Sequence, residues 1–359
     1  MAARPFQLSA FERMNNYYNQ SFEFGNLYKA MKECCKNVRW KPSVLKYEAN
    51  GLNNTLLLKQ SIFNGKYKIK DYQHFKIHEP KERDICATRL PDRQVQRALC
   101  SGGLYQDITE HFIYDNCACQ IGKGTDFALD RLKSHLLKFY RQHGTNGWVL
   151  KCDVKHFFDS TDHEIAKQIM RKYVQDDDAY KYVCDVIDSF EGDVGIGLGS
   201  QISQLIELCV LDGLDHIIKE QLHIKHYIRY MDDFILIHEN KEYLKQCKTF
   251  IENHLKGLKL ELNKKTNIYP LKQGVVFLKW RFIFTDTGRL LKLIDKQKIG
   301  RQRRKMRKLY QMELNGDVES GTTKDSLTSW ISNASKGNTT KICNDMQNYF
   351  NSIKEKNYE

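Results

Sequence analysis

Three aspartates stand where their carboxylates could do metal-dependent chemistry. Asp153 follows the apolar run "WVLKC", and Asp232 and Asp233 are adjacent in "HYIRYMDDFILIHE", between two β-rich runs. Such runs predict a hairpin with the two aspartates at its tip. Two-residue hairpin turns favour Asn-Gly or Asp-Gly, so Met231-Asp232 departs from the usual turn chemistry, as residues at strained or functional sites often do.

The chemistry depends on whether the three carboxylates meet. If the hairpin pairs beside the strand that ends at Asp153, all three lie at one sheet edge, where like charges need a counter-charge. Mg²⁺ is a hard ion that binds carboxylates and substrate phosphates, and two such ions about 3.5–4 Å apart clamp the oxygens of a phosphoryl displacement. The pattern therefore predicts an enzyme that joins a nucleotide to a 3′-hydroxyl with two Mg²⁺ ions, for which Mn²⁺ can substitute. The simpler alternative is a solvated acidic turn.

The elements that must position these aspartates alternate irregularly along the chain. Residues 1–70 have a polar, helical pattern, and Gly-rich loops precede the helical patterns near residues 125 and 200. The segments 258–271 and 274–284 have strand-like patterns, and the tail from about residue 290 has a helical, very basic one. The order strand, helix, helix, hairpin, helix, strands predicts an α+β fold with a small antiparallel sheet rather than a βαβ repeat.

The composition favours a polyanionic partner. The 359 residues carry a formal net charge of +13, and a hydrophobic content of 41% supports a well-filled core. The eleven cysteines are odd in number and the N-terminus lacks a secretory pattern, so we expect reduced thiols and a cytoplasmic protein. No stretch approaches the ~18 apolar residues of a membrane span, so we expect no membrane partner.

The combination of "YMDD" (230–233) with "CDVKHFF" (152–158) resembles a reverse transcriptase. Other motifs of that family occur in the expected order: "EPKERDI" (79–85), "GKGT" (122–125), "GLGSQISQ" (197–204), "LNKKT" (262–266) and "FLKW" (277–280). The resemblance covers residues 75–285 and implies a right-hand polymerase, encoded by a bacterium or phage. It implies an N-terminal helical extension (1–70), fingers (71–147), a palm (148–289) with a fingers-type insertion at about 160–204, and a basic helical thumb (290–359).

The resemblance also implies roles for individual residues. Metal binding falls to Asp153, Asp232 and Asp233 with the backbone of Val154, and Lys265, or its neighbour Lys264, could protonate the leaving pyrophosphate. The implied nucleotide-binding residues are Lys81 and Arg83, which grip the triphosphate, and Val154, His156, Phe157, Phe158, Leu198, Gly199 and Gln204. The implied template and primer contacts are Gly122, Lys123, Gly124, Thr125, Phe277, Leu278, Lys279, Trp280, Arg301 and Arg304. The family usually has Gly at the position of Lys279, which leaves the geometry of this primer grip open.

An aromatic side chain five residues after Asp153 bears on the sugar of the substrate. Phe158 resembles the steric gate by which reverse transcriptases exclude a 2′-hydroxyl, so the resemblance implies deoxynucleoside triphosphates as substrates. The alternative is that Phe158 is an ordinary core residue.

The loop "LGSQISQ" (198–204) separates subfamilies. Many reverse transcriptases have Gln before the Gly, whereas Leu198 with the following Ser-Gln resembles the enzymes of diversity-generating retroelements, which copy template adenines with errors. The implied partners are a template RNA with its RNA/DNA primer duplex, and a small basic accessory protein or a dedicated noncoding RNA. Alternatives are an antiviral-defence reverse transcriptase that copies a noncoding RNA, a non-catalytic polymerase-like RNA-binding protein, and template-independent terminal transfer as a side activity.

Overall fold

The computed structural model describes residues 17–78 and 82–355, and helices account for most of them. The α-helices are Tyr17–Ser21, Phe24–Cys35, Pro42–Ala49, Gly51–Phe63, Leu90–Leu99, Tyr105–Thr109, Thr125–His143, Phe157–Ser160, His163–Tyr173, Asp177–Asp188, Gln201–Val210, Asp212–His216, Lys241–Gly257, Lys296–Leu314, Thr322–Ala334 and Thr340–Glu355. The strands are β1 (Gln73–Ile77), β2 (Arg83–Ala87), β3 (Trp148–Asp153), β4 (His226–Tyr230), β5 (Asp233–His238), β6 (Asn267–Pro270), β7 (Val275–Phe277), β8 (Trp280–Phe284) and β9 (Leu290–Ile294).

A four-stranded antiparallel sheet lies at the centre of the fold, in the order β4-β5-β3-β6. This confirms the predicted α+β class, and it confirms that the hairpin β4–β5 pairs beside the strand that ends at Asp153. Separate antiparallel sheets are formed by β1 with β2 and by β7, β8 and β9. The predicted boundaries of fingers, palm and thumb remain predictions.

Both faces of the central sheet are buried, which explains the nearly continuous apolar runs of β3 and β5. One face, with Leu150 and Leu236, packs into the largest hydrophobic core. The opposite face, with Val149 and Ile235, packs against the helix Thr125–His143 and against strands β7 and β8. Because side chains alternate along a strand, Asp153 and Asp233 lie on this second face, at its end.

Three sequence predictions need correction. The tail does not become helical at residue 290, because β9 first completes the three-stranded sheet. The segment 258–271 is not one strand: only Asn267–Pro270 is, and a single bridge joins Leu262 to Val154. The long helix expected after residue 200 is divided at Leu211 into Gln201–Val210 and Asp212–His216, and a π-helical turn, Ile217–Gln221, follows.

Two further features concern the chain as a whole. None of the eleven cysteines forms a disulfide. Within the described ranges, no helix is both long and apolar enough to cross a membrane.

Candidate active site

The central sheet brings Asp153, Asp232 and Asp233 together at one of its ends. Asp153, the last residue of β3, is the direct cross-strand partner of Asp233, the first residue of β5. The N–H of Val154 donates to the carbonyl oxygen of Asp232 at 3.2 Å, which fixes the turn beside the end of β3. The backbone therefore collects these three acidic residues at one sheet edge.

The tip of the hairpin has the unusual backbone that its sequence suggested. Met231 has a φ of 56°, in the left-handed region that a bulky residue rarely adopts. Behind it, the guanidinium of Arg229 donates through Nη1 to the Met231 carbonyl oxygen at 3.1 Å. A side chain of β4 thus supports the turn from the protein interior.

Arg229 and its partner Asp215 were not singled out from sequence. Both are fully buried, and Arg229 Nε and Nη2 donate to the Asp215 carboxylate at 2.6–2.9 Å. Tyr227 donates its hydroxyl to the same carboxylate at 2.5 Å, and Arg229 Nη2 also reaches the carbonyl oxygen of Leu208. The available signal was a charged residue in an otherwise apolar strand, "HYIRY", because buried charges require partners.

The electrostatics of Asp233 reflect burial and crowding. Burial raises its pKa to about 6; Lys151 opposes this shift, while the negative charges of Asp153 and Asp232 add to it. Lys151 Nζ lies 3.4 Å from Asp233 Oδ2, whereas Asp233 Oδ1 is buried without a hydrogen-bond partner. One carboxylate oxygen at the sheet edge is therefore ready for a further ligand. Lys151 too was missed in the sequence.

The residues at this edge fit a divalent metal by their chemistry. Carboxylate oxygens together with a main-chain carbonyl are the donors that Mg²⁺ and Mn²⁺ prefer, and the partnerless Oδ1 of Asp233 is such a donor. In the part of the chain that the structure describes, no three His, Cys, Asp or Glu side chains are already arranged to hold a metal ion. The positive charge beside Asp233 comes from Lys151.

Behind the aspartates lies a further acidic residue, Glu207, that the sequence did not mark. It is fully buried on the helix Gln201–Val210, and Thr161 Oγ1 donates to its Oε2 at 3.0 Å. Burial, opposed by the hydrogen bond from Thr161, raises the pKa of Glu207 well above its usual value, and the charge of Asp232 adds to the rise. These effects favour its protonated form, which avoids a further negative charge beneath the site.

The loop that contains Leu198 packs against β2. The N–H of Cys86 donates to the Leu198 carbonyl oxygen at 2.8 Å. Gly199 has a φ of 141°, and a Cβ there would lie 2.6 Å from the Cys86 carbonyl oxygen, so only glycine permits this approach. Arg83, at the start of β2, is exposed, and Lys81 lies outside the described residues.

The segment after Asp153 turns sharply. Val154 is buried, His156 is exposed with a φ of 47°, and Phe157 is buried. Phe158 is partly buried, packs against the main core, and accepts a hydrogen bond from the N–H of Ile196 at its carbonyl oxygen. This partly buried position fits both a steric gate and an ordinary core residue. Gln204 lies half-buried on the helix that follows the Leu198 loop.

The segment that precedes Lys265 is bonded to the backbone beside Asp153. The N–H of Asn263 donates to the carbonyl oxygen of Asp153 at 2.7 Å. The N–H of Lys155 donates to the carbonyl oxygen of Glu261 at 2.9 Å. Lys265 follows in an exposed turn, where its N–H donates to Asn263 Oδ1.

The "GKGT" loop contacts the tyrosine of "YMDD". Thr125 Oγ1 lies 3.4 Å from the hydroxyl oxygen of Tyr230. Gly122 and Gly124 have φ values of 76° and 153°. Lys123 is half-buried, and its Nζ donates to the carbonyl oxygens of residues 114 and 116, so its ammonium supports the loop.

The "FLKW" segment is the tip of the hairpin β7–β8. Phe277 and Trp280 are buried and paired, and Leu278 and Lys279 form the turn with φ values of 45° and 76°. Positive φ at Lys279 explains why glycine is favourable there, since glycine adopts it without a steric penalty. Lys298 Nζ donates to the Lys279 carbonyl oxygen at 2.9 Å, which ties the hairpin to the basic helix Lys296–Leu314. Arg301 and Arg304 are exposed on that helix.

The antiparallel sheet with aspartates at one end, flanked by helices, defines a right-hand polymerase fold. The family profile "Reverse transcriptase (RNA-dependent DNA polymerase)" matches residues 76–282, more than half of the chain. The chain therefore belongs to the reverse transcriptase family, and its matched domain is that of an RNA-directed DNA polymerase, a nucleotidyltransferase. No curated protein is significantly similar to the sequence.

Solved structures with a similar fold include fungal telomerases. Telomerase from Candida albicans in complex with the TWJ fragment of telomeric RNA aligns with a TM-score of 0.52 at 13% identity, covering 80% of this chain and 55% of that one. Apo telomerase from Candida tropicalis aligns with a TM-score of 0.48 at 14% identity, covering 63% and 49%. The chain thus spans about half the length of these proteins. At such low identity, the first likeness supports the fold alone.

Proposed function

We propose that this protein makes cDNA from a dedicated template RNA by two-metal nucleotidyl transfer. One observation carries the proposal: Asp153 and Asp233 are cross-strand partners, and Asp232 is joined to Val154 at the same edge, in a chain of the reverse transcriptase family. Buried strands fix this edge on both faces, as a preorganised site requires.

In this proposal, the carboxylates of Asp153, Asp232 and Asp233 and the carbonyl oxygen of Val154 hold two Mg²⁺ ions, or Mn²⁺ in their place. When bound, such ions lower the pKa of the primer 3′-hydroxyl and neutralise the departing pyrophosphate. Lys265 supplies a proton to the pyrophosphate from the turn beside Asp153, with Lys264 as its neighbour. Arg83, with Lys81, holds the triphosphate by charge-assisted hydrogen bonds.

The proposed nucleic-acid path runs along the basic helix Lys296–Leu314. Arg301 and Arg304 are exposed on the helix Lys296–Leu314, which Lys298 ties to the proposed primer grip at Lys279. Exposed cations on one helix contact phosphates rather than bases, so we expect affinity that falls with salt and depends little on sequence. The RNA bound in the Candida albicans telomerase complex is consistent with an RNA partner for this fold.

The decisive experiment compares DNA synthesis by the wild type and by Asp232→Ala/Asp233→Ala. The protein would be purified with the RNA it retains and supplied with Mg²⁺ and the four deoxynucleotides, and any cDNA would be sequenced. We expect the double variant to lose synthesis by at least about a thousandfold, because both proposed metal ligands are gone. The matched control, Asp286→Ala/Asp317→Ala, removes two exposed aspartates. Equal synthesis by both double variants would contradict the polymerase proposal, and synthesis lost with retained RNA binding would exclude a merely RNA-binding role.

Sugar selection is tested at Phe158. We expect Phe158→Ala to admit ribonucleotides, seen as a rise in the ratio of ribonucleotide to deoxynucleotide kcat/KM, because the removed ring no longer excludes a 2′-hydroxyl. If the ratio is unchanged while the free energy of unfolding falls, Phe158 is a core residue and the gate is elsewhere.

Within this function, we place the protein with the error-prone enzymes of diversity-generating retroelements. The support is Leu198, an aliphatic residue whose loop is fixed against Cys86 and which cannot hydrogen-bond to base or template as Gln can. We expect cDNA substitutions mainly opposite template adenines, and fewer of them with Leu198→Gln. Faithful, repetitive or untemplated DNA made on a structured noncoding RNA would instead favour the antiviral-defence enzyme. Co-purification of a small basic protein would identify the accessory partner.

A further inference from the structure

Lys151 joins the aspartate cluster to the hairpin of the proposed primer grip. It lies on β3 two residues before Asp153, so both side chains are on the same face of the sheet. Its Nζ is 3.4 Å from Asp233 Oδ2 and donates to the Val276 carbonyl oxygen on β7 at 2.9 Å. One ammonium therefore contacts two parts of the proposed site.

The Lys151 side chain also borders a cavity. Lys151 lines a cavity of about 860 Å³ between the central sheet and the three-stranded sheet, together with Tyr269, Val276, Arg281 and Asp295. Its side chain is 27% exposed, and that of Asp233 is 22% exposed. Because water and ligands reach this pair, its ammonium and carboxylate can exchange partners without unfolding the sheet.

The Lys151 ammonium and a divalent metal ion compete for the negative charge of Asp233. A divalent ion bound through the unpartnered Oδ1 of Asp233 would repel the Lys151 ammonium and would weaken the pairing of that ammonium with Oδ2. The Val276 carbonyl oxygen, with no net charge, would still hold the ammonium beside β7. A lysine held there with a weakened carboxylate contact can pair with an anionic ligand, and a polymerase complex supplies one in the phosphodiester backbone of the primer strand.

We propose that Lys151 is a positioning residue that exchanges Asp233 for a primer-strand phosphodiester when the aspartates take up a divalent metal. This rests on the proposed function. The exchange couples the two binding events: the lysine weakens metal binding in the free protein, and the primer–template duplex removes that competition. Binding of metal and of duplex are then mutually favourable, as linkage requires.

The test measures Mn²⁺ binding directly, by electron paramagnetic resonance titration of the free ion, with no catalysis involved. We expect Lys151→Met to bind Mn²⁺ about three- to fivefold more tightly than the wild type, the effect of losing one partly exposed ion pair. Lys151→Arg keeps the charge and should stay near the wild-type affinity. The matched control is Lys155→Met, which removes a nearby lysine paired with the exposed Glu261 at 3.4 Å.

A second measurement adds a primer–template duplex of fixed sequence. Duplex should tighten Mn²⁺ binding more in the wild type than in Lys151→Met. With Mg²⁺ present, Lys151→Met should bind the duplex more weakly, with a salt slope reduced by about one phosphate contact, and Lys155→Met should not.

Each outcome decides the proposal. Mn²⁺ affinity in Lys151→Met that equals or falls below that of the wild type overturns the exchange, as does equal tightening by duplex in both proteins. If those results accompany aspartate-dependent DNA synthesis, the polymerase function stands and only the role of Lys151 falls. If no protein binds Mn²⁺ and none makes DNA, both proposals fall together.

Discussion

Two ion pairs support the same hairpin from opposite sides, and they are built differently. Arg229 and Asp215 are both 0% exposed, and several short contacts join the guanidinium to its carboxylate and to two carbonyl oxygens. Lys151 and Asp233 are partly exposed and share one contact of 3.4 Å. The first pair joins strand β4 to the helix Asp212–His216, and the second lies where β3 ends and β5 begins.

The difference separates a permanent pair from an exchangeable one. At the buried pair both Asp215 oxygens are used, so this network has no vacant acceptor. At the exposed pair, Asp233 retains a buried oxygen without a partner, beside two further aspartates. Removing a partner from the first pair should therefore unfold the protein more readily, whereas removing one from the second should mainly change what the site binds.

The largest effect is expected for Arg229→Met. This change leaves the Asp215 carboxylate fully buried with Tyr227 as its remaining hydrogen-bond donor, so the free energy of unfolding should fall by about 3–5 kcal/mol. Urea unfolding followed by circular dichroism measures it. Lys151→Met, at the exposed pair, should cost less than about 1 kcal/mol.

A double variant checks that the loss comes from the unpaired charge. Arg229→Met/Asp215→Leu removes both charges and should recover part of the lost stability, since apolar pairs often replace buried ion pairs well. If Arg229→Met and Lys151→Met lower the free energy of unfolding equally, burial does not make the first pair more important for stability than the second.

The sequence predicted the meeting of the three aspartates better than it predicted the residues that hold them. "CDVKHFF" and "YMDD" were sufficient for this because the apolar runs beside the aspartates form the paired strands β3, β4 and β5; the role of the aspartates as metal ligands stays a prediction. By contrast, Arg229 finds Asp215 through the path of the helices after residue 200, and Lys151 finds Asp233 only once β3 and β5 are in register. Such partners depend on three-dimensional pairing, which spacing along a single chain does not encode.

Strand and helix boundaries show the same limit. The central hairpin was predictable because its runs are apolar and short. The residues 258–266 have a similar alternating pattern but form turns with a single antiparallel bridge, between Leu262 and Val154, because the chain turns at residues 264 and 265 before the pairing can extend. Strand β9 was missed within a basic tail because its place at the edge of the three-stranded sheet is a tertiary contact.

A smaller effect, which depends on pH, is expected for Asp233→Asn. The pKa of Asp233 is about 6 in the folded protein against 3.8 unfolded, because of burial and the neighbouring aspartates. Between about pH 4 and pH 6, the folded protein keeps a proton that the unfolded chain has released, so this group makes stability fall as pH rises. Above pH 6 the ionised Asp233 lowers the free energy of unfolding by at most about 3 kcal/mol.

Asparagine does not ionise, so Asp233→Asn should match the wild type near pH 4 and exceed its stability by up to about 3 kcal/mol above pH 6. The measurement is the difference between the two urea midpoints across pH 4–8, with chelator present to exclude metal. The difference is needed because burial also raises the pKa of Asp212 to about 6, and that group is common to both proteins. A difference that is constant with pH would contradict the raised pKa of Asp233.

The smallest effect is expected for Tyr227→Phe, which removes one donor from the buried pair. The hydroxyl is one of several donors to Asp215, and its loss leaves the carboxylate paired with Arg229, so we expect a cost of about 1 kcal/mol in urea unfolding. Because Tyr227 does not reach Met231, the Mn²⁺ affinity should stay at the wild-type value. A loss as large as that of Arg229→Met would mean that Tyr227, rather than the guanidinium, is the main partner of Asp215, and the contrast between the two pairs would then rest on a hydroxyl instead of a charge.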